Sequence, residues 1–482
     1  MYRRGLLGYL PANITSGLVG LLTIVVFTRL LTPEAYGAYA LSMSVMILAH
    51  TLLFTWAEAA MARFQARARE QGEVADHMAT IYRSWLLLAL AFPLVAGLAV
   101  WVAPVSGTLK LAVIPGLVAV VFRSLIKLVQ ERRRADGEVG AASLLDMAQS
   151  AGGFAAGVVY VVLGFGGGGP LMGAAVVAIL CLVFTLRREL TLARGGRFER
   201  PRLREYAGYG LPVALSLILS LVISTTDRFL LAGYLHEQAV GVYHAGYSLA
   251  NRTLDVMFIW LGMAGGPAMV AALERGGRPA LEETAREQAS FMVLLTLPAA
   301  VGVALVAHPL AQVMVGEALV EGAARVTPWV AVGAFFSGVT TYYLHQAFTL
   351  GQRTRLLMAA MTIPAALNLA LNLILIPRFG IDGAMWATAA SYGVGALASF
   401  ALGRRAMPLP LPFEALWKAG VGCAAMGAAV TAIPALGGLA ELILKAGAGA
   451  AVYGLVVYAL DAAGARTRRH ELLAGLRPGA AA

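Results

Sequence analysis

Apolar runs of about twenty residues alternate with short polar gaps along the whole chain, with centres near Leu18, Val45, Leu90, Gly116, Gly153, Ala178, Leu219, Asn251, Val293, Phe335, Ala366, Ala389, Cys423 and Gly449. A helix needs about 20 apolar residues to cross a bilayer, so the pattern predicts an all-α integral membrane protein with about 14 transmembrane helices. No gap exceeds a couple of dozen residues, which excludes an extramembrane catalytic domain by length. The first run continues towards Phe27 and ends in "TRLLTPEAYG" without a small-residue cleavage site. It therefore reads as an uncleaved first span rather than a secretory signal.

Arginine crowds every second gap: Arg3 and Arg4; Arg63, Arg67 and Arg69; Arg132, Arg133 and Arg134; seven arginines from Arg187 to Arg204; Arg275, Arg278 and Arg286; Arg353 and Arg355; Arg404 and Arg405; and the tail Arg466, Arg468, Arg469 and Arg477. The alternate gaps, such as "APVSGT", "GFGGGGP" and "PALGG", are nearly uncharged. Under the positive-inside bias both termini are expected in the cytoplasm and the chain in the cytoplasmic (inner) membrane. An even number of spans follows. Fourteen fits better than twelve because Lys418 and Lys445 flank two further apolar runs.

Composition agrees: 59% of the 482 residues are hydrophobic and 13% charged, where a soluble domain carries roughly a quarter charged residues. The net charge of +11 belongs to the gaps and reads as orientation, not as a surface for nucleic acid. Cys181 and Cys423 both fall inside spans and read as small apolar residues, with neither a disulfide framework nor metal-ligand spacing.

A repeat is visible. "EAYGAY" (Glu34 to Tyr39) follows the first span and "QAVGVY" (Gln238 to Tyr243) the seventh, with Arg29 and Arg228 upstream; "GPLMGAA" around Gly173 matches "GIDGAMW" around Gly383 at an offset of 210. The simplest account is an N-terminal six-helix bundle over residues 1–205, a C-terminal six-helix bundle over 206–405, and two additional helices with a basic tail over 406–482. Halves related in this way can rock about a central cavity, giving alternating access. Pro11, Pro212, Pro298 and Pro364 stand inside or at the start of spans, where they kink helices that have to bend.

Charges inside spans are costly and usually face a protein interior or a wet cavity. Arg252 and Asp255 lie one turn apart in the eighth span, after Asn251; Arg123 and Lys127 share a face of the fourth. Asp227 with Arg228, Arg29, Glu58, His50 and Asp146 are further candidates. A cavity holding Arg252, Arg123 and Lys127 attracts an anion. Each has a plainer reading: a structural Arg252–Asp255 ion pair, Arg123 and Lys127 snorkelling to headgroups, Arg29 and Arg228 anchoring to lipid phosphates, His50 and His345 as polar helix contacts, and Asn368 with Asn372 bonding across helices.

"TRLLTPEAYGAYAL" from Thr28, "TDRFLLAGYLHEQAVGVYHAGYSLA" from Thr226 and "LGQRTRLLMAAMTIPAALNLALNLILIPRFGIDGAMWATAAS" from Leu350 resemble the polysaccharide-transporter (Wzx-type flippase) branch of the multidrug/oligosaccharidyl-lipid/polysaccharide exporter superfamily. The third segment is the most specific, with Asn368, Asn372, Pro377, Gly380, Gly383 and Ala384 placed as in such proteins. The resemblance implies translocation of a polyprenyl-diphosphate-linked oligosaccharide to the outer leaflet, for surface polysaccharides such as lipopolysaccharide O-antigen, beside glycan polymerase or ligase machinery.

A diphosphate suits guanidinium groups, so Arg252, Arg123, Lys127 and Arg29 are the candidate phosphate ligands. Asn251, Thr340, Thr341, Tyr342, Tyr343 and Gln346 are candidates to face the glycan, and Asp255, Asp227 and Glu58 to carry a coupling proton or Na⁺. The lipid tail is expected in the bilayer, in a lateral gap or a groove along the two extra spans. No cofactor or metal is implied, and no Walker loop argues for direct ATP use. The alternatives are a lipid II flippase or a multidrug cation antiporter of the same superfamily, a membrane glycan polymerase or ligase, and a non-transporting scaffold. A polymerase or ligase is disfavoured by the lack of a long outer loop.

Overall fold

A computed structural model describes residues 2–102 and 106–462. Part of the "APVSGT" gap and the basic tail from Arg466 to Arg477 lie outside the described residues. Among those described, every regular element is helical: α1 Tyr2–Leu30, α2 Pro33–Leu53, α3 Thr55–Glu70, α4 Val74–Val102, α5 Gly107–Ala135, α6 Val139–Met147, α7 Gly153–Tyr160, α8 Gly169–Leu192, α9 Arg200–Leu305, α10 Ala307–Met314, α11 Val320–Val339, α12 Gln346–Leu350, α13 Thr354–Phe379, α14 Ile381–Ala406, α15 Phe413–Ala432 and α16 Gly438–Ala459.

Ten helical runs are long and apolar enough to cross a membrane. Two of them exceed a single crossing. Val139–Leu192 is divided where Gly164 and Gly166 take left-handed φ of 92° and 50°. The run α9 has 106 residues; at 1.5 Å per residue it would extend about 160 Å, several bilayers thick. It is divided at His236 (φ 70°) and Gly277 (φ 65°), a backbone region closed to a continuing helix, into legs 200–235, 237–276 and 278–305. With these divisions, and with α11, the described residues make fourteen long helical legs, beside the shorter α3, α10 and α12. Each centre expected from the sequence falls in a different one. The protein is an all-helical, multi-pass membrane protein.

The chain separates into two compact units, Met1–Ala245 and Gly246–Ala482. In the first, Thr32 caps α2 by accepting the Ala35 N–H at 3.2 Å, with Pro33 at the first helical position. Phe54 interrupts the helix, and α3 continues as an arginine-rich extension where the sequence pattern implies only a gap. The basic gaps are also less free than their composition suggests. Arg132 is buried, pairing with Glu189 at 2.8 Å and Asp136 at 2.7 Å, while Tyr82 donates to Glu189. Arg67 forms a two-pronged pair with Glu205 at 2.8 Å, whose hydrogen bonds hold the Glu205 carboxyl below its ordinary range. Arg202 bridges Glu73 and Glu199, both at 2.7 Å.

The repeated glycines do equivalent work. A methyl on Gly37 would lie 1.8 Å from the Glu237 carbonyl oxygen, and one on Gly241 2.2 Å from that of Pro33, so the two copies of the motif pack directly on each other. A methyl on Gly173 would lie 2.2 Å from the Gly157 backbone nitrogen, and one on Gly383 2.4 Å from the Leu375 carbonyl oxygen. In both places a small residue opening a span lets it close on the preceding helix.

In the second unit, α13 and α14 form the hairpin around Gly383. Asn368 and Asn372, expected to bond across helices, instead bond to each other along α13 at 3.0 Å, because both stand on one buried face a turn apart. Cys423, Met426 and Val430 of α15 cluster with Val306, at the junction of α9 and α10, and Tyr453 of α16 donates to the Leu294 carbonyl at 2.7 Å. Both cysteines are free thiols. All four prolines marked in the sequence lie within helices.

Candidate functional site

The expected polar residues fall into two groups, one in each unit. In Gly246–Ala482, the Asn251 amide donates to Asp255 at 2.5 Å. Arg252, expected to pair with Asp255, is exposed and forms no ion pair with a described residue. The carboxylate is instead engaged by Asn251, one turn back on the same helix. Facing this leg, residues 340–344 widen into a π-type turn, a feature frequent at functional sites. Tyr342 stacks flat on Phe258, 6.1 Å between centroids and 9° apart, over the bare surface of Gly262. Gln346 reaches towards Gly266. Tyr343, on the other side of the same turn, is buried and donates to the Pro410 carbonyl at 2.5 Å, so it is apart from this group.

In Met1–Ala245, Arg123 and Lys127 line one cavity of about 190 Å³ with Met46, Ile47, His50, Thr51 and Val120. Lys127 stands 3.5 Å from Asp146, which Arg134 holds at 2.5 Å. Glu58 pairs with His50 Nε2 at 2.8 Å. Asp227 is fully buried and accepts the Arg228 N–H at 2.8 Å; the Arg228 side chain reaches Ser44 Oγ at 3.2 Å. Arg29 is exposed and donates to the Val25 carbonyl of its own helix at 2.8 Å. Asp227 and Arg29 are thus outside both groups.

Two further cavities lie in the second unit. One, of about 620 Å³, is lined by Trp260, Gly265, Arg286, Gln288 and Phe291 among others. Both polar atoms of the Gln288 amide are buried there without a partner among the described residues. Nothing in the hydropathy pattern marks Gln288, which sits in a charged gap; only Gly265 and Gly266 opposite hint at a close approach. The other, of about 440 Å³ and almost wholly apolar, runs between the third leg of α9, α15 and α16, past Pro298, Gly302, Met426, Val430 and Gly449. No group of three or more metal-ligating side chains is present among the described residues.

Solved structures share this fold. The lipid II flippase MurJ, in an inward closed conformation, superposes with a TM-score of 0.78 at 12% identity over 94% of this chain and 98% of that one. A multidrug resistance MATE transporter of the MOP superfamily, inward-facing, gives 0.64 at 16% identity over 82% and 93%. A MOP superfamily transporter from Pyrococcus furiosus, with a binding pocket of reverse polarity, gives 0.53 at 16% over 83% and 92%. No curated protein sequence matches the chain significantly. The model of the family described as "Polysaccharide biosynthesis protein" matches residues 26–323. That match spans more than half of the chain, which therefore belongs to the polysaccharide biosynthesis protein family.

Proposed function

We propose that the protein is a flippase that carries a polyprenyl-diphosphate-linked oligosaccharide across the cytoplasmic membrane, by alternating access, for surface polysaccharide synthesis. The observation that carries this reading is the combination of a polysaccharide-biosynthesis sequence with a MurJ-like fold over 94% of the chain. In this reading the parts are the two six-span halves, 1–205 and 206–405, and the added segment 406–482, with both termini in the cytoplasm. The diphosphate is taken by guanidinium and ammonium groups, Arg252 in one unit and Arg123 with Lys127 in the other, since charge-assisted bonds to phosphate oxygens are the strong ones. Asn251, Tyr342 and Gln346 face the glycan. The apolar cavity beside α15 and α16 suits the lipid tail, whose burial contributes about 0.8 kcal/mol per methylene. The mechanism is transport and no covalent chemistry is assigned.

Labelled polyprenyl-diphosphate oligosaccharide in proteoliposomes tests the reading. The label should become accessible at the far leaflet faster than in protein-free vesicles; equal rates would overturn it. Lipid II offered in the same assay tests the second reading, which the MurJ-like fold favours. Asp255 is assigned the coupling ion. Collapsing a proton or Na⁺ gradient should slow net flipping, and Asp255→Asn should make the residual rate insensitive to the gradient. Equal wild-type rates with and without gradients would reject coupling.

A further inference from the structure

Arg123 stands mid-way along α5, lines the 190 Å³ cavity, and has no ion-pair partner among the described residues. A cation enclosed among apolar walls such as Met46, Ile47 and Val120 is unfavourable unless an anion joins it. Lys127 opens on the same space, loosely balanced by Asp146 at 3.5 Å. The third polar wall is His50, from α2, whose Nε2 lies 2.8 Å from Glu58 Oε1 of α3, an oxygen that accepts no hydrogen bond from a described residue. The charged groups around His50 are therefore Glu58 from α3, Arg123 and Lys127 from α5, and Asp146 from α6 behind Lys127; the Phe54 ring completes its surroundings at 6.3 Å. With liquid water taking about 30 Å³ per molecule, the space suits one or two phosphate groups and not a glycan.

We propose that this cavity is a proton-linked phosphate site, in which Arg123 and Lys127 supply fixed charge and His50, beside Glu58, supplies a third cationic ligand only when protonated. With a charged imidazole the empty cavity sets three cations against the two nearby carboxylates of Glu58 and Asp146, an excess of positive charge. A phosphate entering the cavity offsets that excess, so binding draws one proton from the adjoining aqueous phase onto His50, and release returns it. Histidine is the side chain suited to this exchange between about pH 5 and 8. The inference rests on the flippase reading only for the bearer of the phosphate; the site's chemistry stands on its own residues.

The test is calorimetric binding of farnesyl-diphosphate-linked N-acetylglucosamine to the purified full-length protein in detergent. This probe is a diphosphate diester, so its own charge is constant over the range used. Affinity should fall about tenfold between about pH 6 and about pH 8, and buffers of different ionisation heat should reveal uptake of about one proton at the higher pH. His50→Gln and His50→Asn, each checked for folding by thermal unfolding, should lose both the slope and the uptake while still binding. Arg123→Gln should weaken binding at both pH values. A slope that persists in both folded His50 variants, or wild-type binding with neither slope nor uptake, would overturn the proton link. Undiminished binding by Arg123→Gln would overturn the site. Either result leaves the flippase reading to be judged by the transport assay, which needs no pH dependence.

Discussion

Arg252 and Arg132 show how differently the same side chain is used. Arg252 is exposed and pairs with no described carboxylate, while Asp255 is already held by Asn251. Removing the guanidinium therefore leaves no buried charge behind. Arg252→Ala should keep its thermal midpoint in detergent but flip lipid-linked glycan about ten- to a hundredfold more slowly, the rate equivalent of losing about 1.5–3 kcal/mol of charge-assisted bonding. Arg252→Lys should recover part of the rate, because the charge returns without the planar fork. Wild-type flux in the alanine variant would remove Arg252 from the site. Arg132 is buried against Glu189 and Asp136. Arg132→Met should cost about 3–5 kcal/mol by stranding Glu189. Adding Glu189→Leu should restore much of that, since Asp136 keeps Gln65 at 3.1 Å and Arg69 at 3.5 Å. A double variant no more stable than the single one would refute the pairing argument.

At the scale of elements, close helix approaches through glycine organise the fold. Gly37 and Gly241 each bring a helix to within a backbone atom's width of the other motif copy, where no Cβ fits. Gly37→Ala or Gly241→Ala should destabilise the protein by about 1–3 kcal/mol, the usual cost of overpacking. Gly208, also helical but with nothing within 4 Å of a Cβ, serves as the control. There alanine should be neutral or gain up to about 1 kcal/mol from helix propensity. Thermal unfolding of the three variants side by side checks this, and equal shifts at all three positions would contradict it. The motif pair was legible as a repeat in the sequence. That the copies meet was not, because similarity carries no distance.

For the molecule as a whole, the arginine-rich gaps make a topology test. Reporter fusions after Arg204 and at the C-terminus should report cytoplasm, and one within "GFGGGGP" should report the outside. A C-terminus found outside would contradict an even number of crossings. Membership of the family rests on residues 26–323, whereas the MurJ-like fold extends over 94% of the chain. The helices α15 and α16 lie beyond that family match, and they wall the apolar cavity assigned to the lipid tail.

Hydropathy alone determined that this protein is helical, membrane-embedded and built around fourteen apolar segments, each of which became a helical leg of its own. In lipid the length and apolarity of a run leave few other solutions, and each expected centre fell within one leg. The shared wall of Arg123 and Lys127 was equally readable, since i and i+4 face the same way on any helix. Only the tertiary structure decided which charges are engaged. It placed Arg132 against Glu189 in a buried ion cluster, sequestered Tyr343 against Pro410, enclosed Asp227, and brought Glu58 to His50 beside Arg123. Partners from distant segments meet through packing, and a span's own sequence records which face is polar but not what that face will meet.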